Sequence, residues 1–315
     1  MSTTGSITPG SSGSGMAVNV PGAARARIQG RSWGQILVRA SSSGIVPVIV
    51  ILIALIWSVP TIGLLVSSFR TPQDIHTSGW WTGLIPPWHF TLENYQNVLQ
   101  EQGMGQAFLN SLIISIPGTI LPVGVAAFAA YAFAWMKFPG RDWIFLTIVS
   151  LMIVPIQMVL IPAEQLFVDL GINGTFLSVW LAHTALGLPF AVYLLRSFFG
   201  ALPADLFESA SIDGASRVRI FFSIVLPLSL PSIASLVIFQ FMWVWNDLLV
   251  AFILLGGGQN VAPLPVAIAD LVNGYGTNFE LLTSAAFLSM ALPLAVFFGL
   301  QRYFVRGMLA GSVKG

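Results

Sequence analysis

Side chains able to do chemistry are sparse in this sequence, and they gather in two places. One is the run Glu208-Ser209-Ala210-Ser211-Ile212-Asp213-Gly214, followed downstream by Leu226-Pro227. The other is Trp245-Asn246-Asp247, well inside an apolar stretch. Paired carboxylates are the usual equipment of general acid–base catalysis. Glu208 and Asp213, however, stand about 140° apart around a helix and do not share a face, so they make no dyad. What this segment offers is a docking surface: Ser209, Ala210 and Ser211 are small enough to let another backbone come close. Asp205, three residues before Glu208, suits the cap of a helix, and Pro203 stops that helix from extending backward. Asp213-Gly214 favours a left-handed turn. A second amphipathic segment over 215–226 is predicted to send Phe221, Phe222 and Val225 toward the membrane, before Pro227 and Pro231 open the next element.

An ionisable group in an apolar run points to function, with a buried partner or an aqueous cavity. Asp247 with Asn246 and Trp245 suits a sugar, whose hydroxyls bond carboxylate and amide and whose ring stacks on an indole; an interhelical polar clasp fits the same residues equally. Asn110, Gln157 and Gln240 are further candidates for a solute pathway. Other chemistries lack their residues. The chain has no cysteine, hence neither disulfide nor thiolate site. His76, His89 and His183 lack metal-ligand spacing, and no Ser/His/Asp set accompanies them. No G-x-x-x-x-G-K-S/T phosphate loop is present, so this chain is not expected to hydrolyse ATP or to hold a cofactor of its own.

The elements that carry these residues are membrane spans. The 315 residues are 56% hydrophobic and 8% charged, against about 25% charged for a soluble domain. With a net charge of +1, no field calls for a nucleic acid. A span needs roughly 20 apolar residues, and six stretches qualify: 45–69, 107–135, 143–163, 174–196, 231–255 and 281–304. None shows the alternation of a barrel strand, so the fold class is all-α and polytopic. Pro60, Pro117, Pro122, Pro155, Pro189 and Pro293 read as kinks within spans. Residues 1–24, rich in Ser, Gly, Thr and Ala, read as disordered, and 1–44 as a tail preceding a membrane domain over 45–315; the tail lacks the basic-then-apolar order of a signal peptide.

Basic residues stay on the cytoplasmic side. Arg25, Arg27, Arg31, Arg39, Lys137, Arg141, Arg196, Arg217, Arg219, Arg302, Arg306 and Lys314 all fall on one side of a six-span alternation, with Arg70 opposite. Both termini and the loop at about 200–230 are thus expected in the cytoplasm. The opposite loops collect Asp74, Glu93, Glu101, Glu164, Asp169, Asp270 and Glu280. Trp80, Trp81, Trp88, Phe90 and Tyr95 in the 70–106 loop fit an aromatic belt, or else a platform for an external protein.

The segment Glu208–Gly214 with Leu226-Pro227 closely resembles the EAA loop of binding-protein-dependent ABC importer permeases, departing from it in carrying Ser209 where alanine is usual. Phe90-Thr91-Leu92-Glu93-Asn94-Tyr95, Asn110-Ser111-Leu112, Ala130-Tyr131-Ala132-Phe133, Phe138-Pro139-Gly140-Arg141, Trp245-Asn246-Asp247 and the stretch from Gln301 to Gly315 resemble the carbohydrate-importer subfamily, its maltose-type MalG half above all. The resemblance covers about 45–315 and implies a type I ABC importer (MetI-like) transmembrane domain. It implies that Glu208, Ala210, Asp213, Gly214 and Pro227 couple to ATPase subunits. The implied partners are a MalF-like second permease subunit, two ABC ATPase subunits that bind ATP and Mg, and an extracytoplasmic solute-binding protein. The implied place is the cell membrane of a bacterium or archaeon, and the implied cargo a di- or oligosaccharide or a glycoside. Alternatives are a non-sugar cargo such as a glycerol phosphodiester, which calls for arginines in the cavity, and an ion-coupled transporter, which calls for more intramembrane acids than Asp247. A membrane-embedded enzyme would need a nucleophile or metal set that the spans do not offer.

Overall fold

A computed structural model describes residues 44–100, 102–256, 258, 260–274 and 278–312. The predicted tail, up to residue 43, lies outside them. The chain divides into two compact units, Met1–Ser58 and Val59–Gly315. In the first, the described residues begin helix α1 (Ile45–Ser68), whose Val, Ile, Leu and Trp side chains over 46–57 are exposed. That is a face suited to lipid.

The second unit takes up α1 from Val59 and continues with α2 (Pro72–Thr77), a 3-10 turn (Trp80–Leu84), α3 (Glu93–Gln100), α4 (Met104–Trp135), α5 (Arg141–Ser150), α6 (Ile156–Asp169) and α7 (Phe176–Phe199). It ends with α8 (Ala204–Ile212), α9 (Arg217–Leu228), α10 (Leu230–Trp245), α11 (Leu249–Leu255), α12 (Leu264–Gly274) and α13 (Phe279–Ser312). The described residues contain no strand, only one isolated bridge between Arg70 and Phe90. Four helices are long and apolar enough to cross a membrane alone: Val46–Ser68, Met104–Trp135, Phe176–Phe199 and Phe279–Gln301. The count reaches six if two bent pairs are each one span, Arg141–Ile153 with Ile156–Asp169 at 103° and Arg217–Leu228 with Leu230–Trp245 at 75°.

Two expectations need correction here. The predicted span 143–163 is not a kinked rod; it breaks at Pro155, which caps α6 after the extended Val154. Proline has no N–H to donate and pushes its predecessor out of the helical region. The predicted span 231–255 also stops early, at Trp245, and resumes only at Leu249. Pro60, Pro117, Pro122, Pro189 and Pro293, by contrast, sit inside continuous helices.

The core is built around α4 and α7, which share the most extensive interface. Ala126, Ala127 and Ala130 of α4 and Ala191 of α7 are buried there. Small residues let helices approach closely where no hydrophobic effect drives them together. α10 packs on α4 and on α13. At 32 residues, α4 is about 48 Å long, well over the roughly 30 Å of hydrocarbon. It is therefore longer than the hydrocarbon is thick, and each end holds one of the sites described next.

Candidate functional site

The hairpin at 204–228 is two short helices joined by a turn, as its sequence predicts. Gly214 occupies the left-handed region at φ 75°, which costs an ordinary L-residue about 1–2 kcal/mol. Ser216 caps α9 by accepting the Arg219 N–H at 3.3 Å. Asp205 does not cap α8: the cap position falls on Pro203, without a side-chain bond. Asp205 lies instead in the first turn, where its charge still favours the helix dipole. Glu208, Asp213, Gly214 and Pro227 are exposed, and Ala210 is half-buried. Ile212 is 86% exposed at the apex, an apolar side chain beside the two carboxylates that the sequence reading passed over.

The opposite side of the hairpin is anchored. The Phe207 ring stacks on Trp135, at the end of α4, with centroids 3.6 Å apart and planes 17° from parallel. The Trp135 indole donates to the Phe199 carbonyl at 2.9 Å, and the Tyr131 hydroxyl donates to the Arg217 carbonyl at 3.1 Å. Phe221 and Val225 are buried in the bundle, with Phe221 stacked on Phe128 at 4.7 Å. Of the three side chains predicted to face the membrane, Phe222 alone is exposed. A π-helical turn over Phe221–Val225 rotates the other two inward; such turns insert a residue and shift the faces of a helix. The hairpin thus shows a polar edge outward and is clamped to α4 by aromatic contacts, each worth about 0.5–1.5 kcal/mol beyond area burial.

The interior candidates fall into different surroundings. Trp245 is buried between Phe108 and Phe241, and its indole donates to the Ser289 carbonyl at 3.0 Å. Its ring faces protein. Asn246 is exposed and returns its amide to the Met242 carbonyl at 2.7 Å. Asp247 lies in the break after α10, where its carboxylate accepts the Ala251 N–H at 3.1 Å and stands 3.6 Å from the His183 imidazole. Gln240 is buried, donating to the Gly118 carbonyl at 3.3 Å. Gln157 is exposed on the first turn of α6. The six do not converge on one cavity.

Asn110 does a job the sequence did not suggest. It is buried and donates to the carbonyls of Asn260 and Ala262, both at 3.0 Å, while its own oxygen accepts from Gln106 at 3.0 Å. The neighbouring Ser111 hydroxyl accepts the Leu264 N–H at 2.8 Å. Asn110-Ser111 therefore fastens the segment entering α12 to α4. Beside this clamp opens a cavity of about 390 Å³ lined by Gln100, Gln102, Gln106, Asn260 and Asp270, among others. At the same end, Asn94 holds the end of α1 by donating to the Ser68 and Arg70 carbonyls. Arg70 is buried and gives its guanidinium to the carbonyls of Asp74, Ser78 and Gly79.

Residues 121–310 match the model of the family described as binding-protein-dependent transport system inner membrane component. The chain belongs to that family. Among its relatives, the osmoprotective compounds uptake permease protein GgtD of Synechocystis is 55% identical over 84% of this chain and 90% of its own length. The alpha-glucoside transport system permease protein AglG of Rhizobium meliloti is 49% identical over 79% of this chain and 68% of its own. A crystal structure of a bacterial ABC transporter involved in alginate import superposes with a TM-score of 0.70 at 19% identity, over 87% of this chain and 99% of that one. The inner membrane component fold is thus shared across low sequence identity, and the long helices and the hairpin described above belong to it.

Within this permease, close approach at Gly187 sets the position of Gln240. A Cβ added there would lie 2.6 Å from the Gln240 amide nitrogen. Gly187→Ala is expected to push the carboxamide off the Gly118 carbonyl and to cost about 1–3 kcal/mol, as overpacking usually does. The check is a lower melting temperature of the detergent-solubilised protein; unchanged melting would show that Gln240 relocates freely.

Proposed function

We propose that this permease is the MalG-like half of the translocation pathway of an ATP-driven importer for neutral polyhydroxylated solutes, a di- or oligosaccharide or a glycoside. The observation that carries the reading is a hairpin with its polar edge exposed and its aromatic side clamped to α4. A rigid element of that kind passes on rigid-body motion, whereas a loose loop absorbs it. In this reading Glu208, Ala210, Asp213 and Gly214, with Ile212, seat in ATPase subunits, and Pro227 bounds the hairpin where it rejoins the bundle. Two such subunits bind ATP and Mg, a MalF-like second permease completes the pathway, and an extracytoplasmic binding protein delivers the solute. Both termini and the hairpin face the cytoplasm of a bacterial or archaeal cell, as the basic residues require.

The cargo class has two supports. The relatives' names speak of osmoprotective compounds, alpha-glucosides and arabinooligosaccharides. The cavity beside Asn110 is lined by carboxamides and Asp270 with no cation among its described residues, which suits hydroxyl groups and disfavours a phosphodiester. Reconstituted with its companions in proteoliposomes, the permease is expected to take up a labelled alpha-glucoside only when ATP is supplied on the hairpin side. Uptake driven by an ion gradient without ATP, or preference for a glycerol phosphodiester, would overturn the proposal.

A further inference from the structure

The His183 imidazole is fully buried in α7. Its Nδ1 lies 3.0 Å from the Val179 carbonyl oxygen. A carbonyl has no hydrogen to give, so Nδ1 carries the proton and donates it. That fixes the tautomer and leaves Nε2, in the neutral ring, with a lone pair. Yet Nε2 has no hydrogen-bond partner and faces the Asp247 carboxylate at 3.6 Å. Two acceptors facing each other repel, and the imidazole is fully shielded from solvent while the Asp247 side chain keeps 12% of its exposure. One added proton turns that repulsion into a charge-assisted contact.

The place of Asp247 gives the proton a mechanical consequence. Its carboxylate also accepts the Ala251 N–H at 3.1 Å, so it is tied to the start of α11, in the break between α10 and α11. α11 in turn packs on α7 through Val250, Ala251 and Leu254. Around His183, α4 brings Gly118 toward its Cβ and α10 sets Trp243 edge-on to its ring. Among the described residues, Asp247 is the charged group within ion-pair distance of His183.

We propose that His183 and Asp247 share one proton that clasps the break after α10 to α7, making His183 a positioning residue that renders the transport cycle sensitive to pH. The sign follows from the groups. With the proton present, imidazolium and carboxylate attract and α11 stays seated; as pH rises and the proton leaves, Nε2 and the carboxylate repel and α11 loosens. The proposal rests on the importer reading only for its transport readout.

The test uses the assembled transporter in proteoliposomes with the internal and external pH varied together. ATP-dependent uptake by the wild type is expected to fall about threefold or more as the pH is raised from 6 to 8. His183→Gln places a permanent neutral donor near the Nε2 position; it should keep uptake near its pH 6 rate and flatten the profile. Asp247→Asn, which can donate to unprotonated Nε2, should flatten it too. An unchanged pH profile in His183→Gln would overturn the proposal. Should the variants fail to assemble, the wild-type residues still decide it. The chain has no cysteine, so spin labels at Leu181→Cys and Phe252→Cys, both exposed positions, report the α7–α11 distance directly. The expected result is a separation that lengthens as pH rises; a distance independent of pH would sink the clasp, whatever the importer's cargo or energy source.

Discussion

Glu208→Lys and Gly214→Asp are each expected to abolish uptake while leaving membrane insertion intact. Both positions are exposed on the hairpin, and no Cβ added at Gly214 would meet another atom within 4 Å. The fold has no packing reason to refuse either change beyond backbone strain at Gly214, where φ is 75°. Asp also tolerates that region better than most residues. What changes is the surface offered to the ATPase: a carboxylate reversed to a cation, or a bare turn given a charged side chain. At a docking interface a misplaced charge commonly lowers affinity by about tenfold or more. Co-purification of the ATPase subunits should drop by at least that factor, with the amount of inserted permease unchanged on a membrane blot. Wild-type uptake by either variant would remove the coupling role from this hairpin.

Phe207→Ala should separate docking from transmission. Phe207 points away from the exposed edge and stacks on Trp135, so the variant keeps Glu208, Asp213 and Gly214 while losing the anchor. Truncating a buried aromatic costs about 3–5 kcal/mol where the site cannot collapse. Here the loss falls on the attachment of the hairpin to α4. The expected phenotype is an ATPase that still binds and still hydrolyses, with solute moved per ATP reduced about tenfold. Trp135→Phe is the control, since it keeps an aromatic partner and removes only the N–H donated to the Phe199 carbonyl. Loss of ATPase binding in Phe207→Ala equal to that of Glu208→Lys would mean that anchor and docking edge are not distinct.

The helical type of the spans, the hairpin and its glycine turn were legible in the amino-acid order because each is a local matter. Apolar length decides membrane crossing, and Gly214 permits the turn through its own backbone alone. Local signals went astray where two of them competed. Asp205 had the chemistry of a cap, but the helix already starts after Pro203, two residues earlier. The apolar run 231–255 hid a break that Asp247 makes by taking the Ala251 N–H.

What tertiary structure alone decided is which partner each polar or aromatic side chain meets. Asn110 finds carbonyls about 150 positions further along, at Asn260 and Ala262, and is thereby a clamp. Trp245 meets Phe108, Phe241 and Ser289, which buries the ring a sugar would have needed. His183 carried no motif at all, since its meaning comes from a carboxylate 64 positions away in sequence and 3.6 Å away in space. A buried polar group must be satisfied by whatever the packing brings to it. Sequence fixes the need, and only the fold supplies the partner.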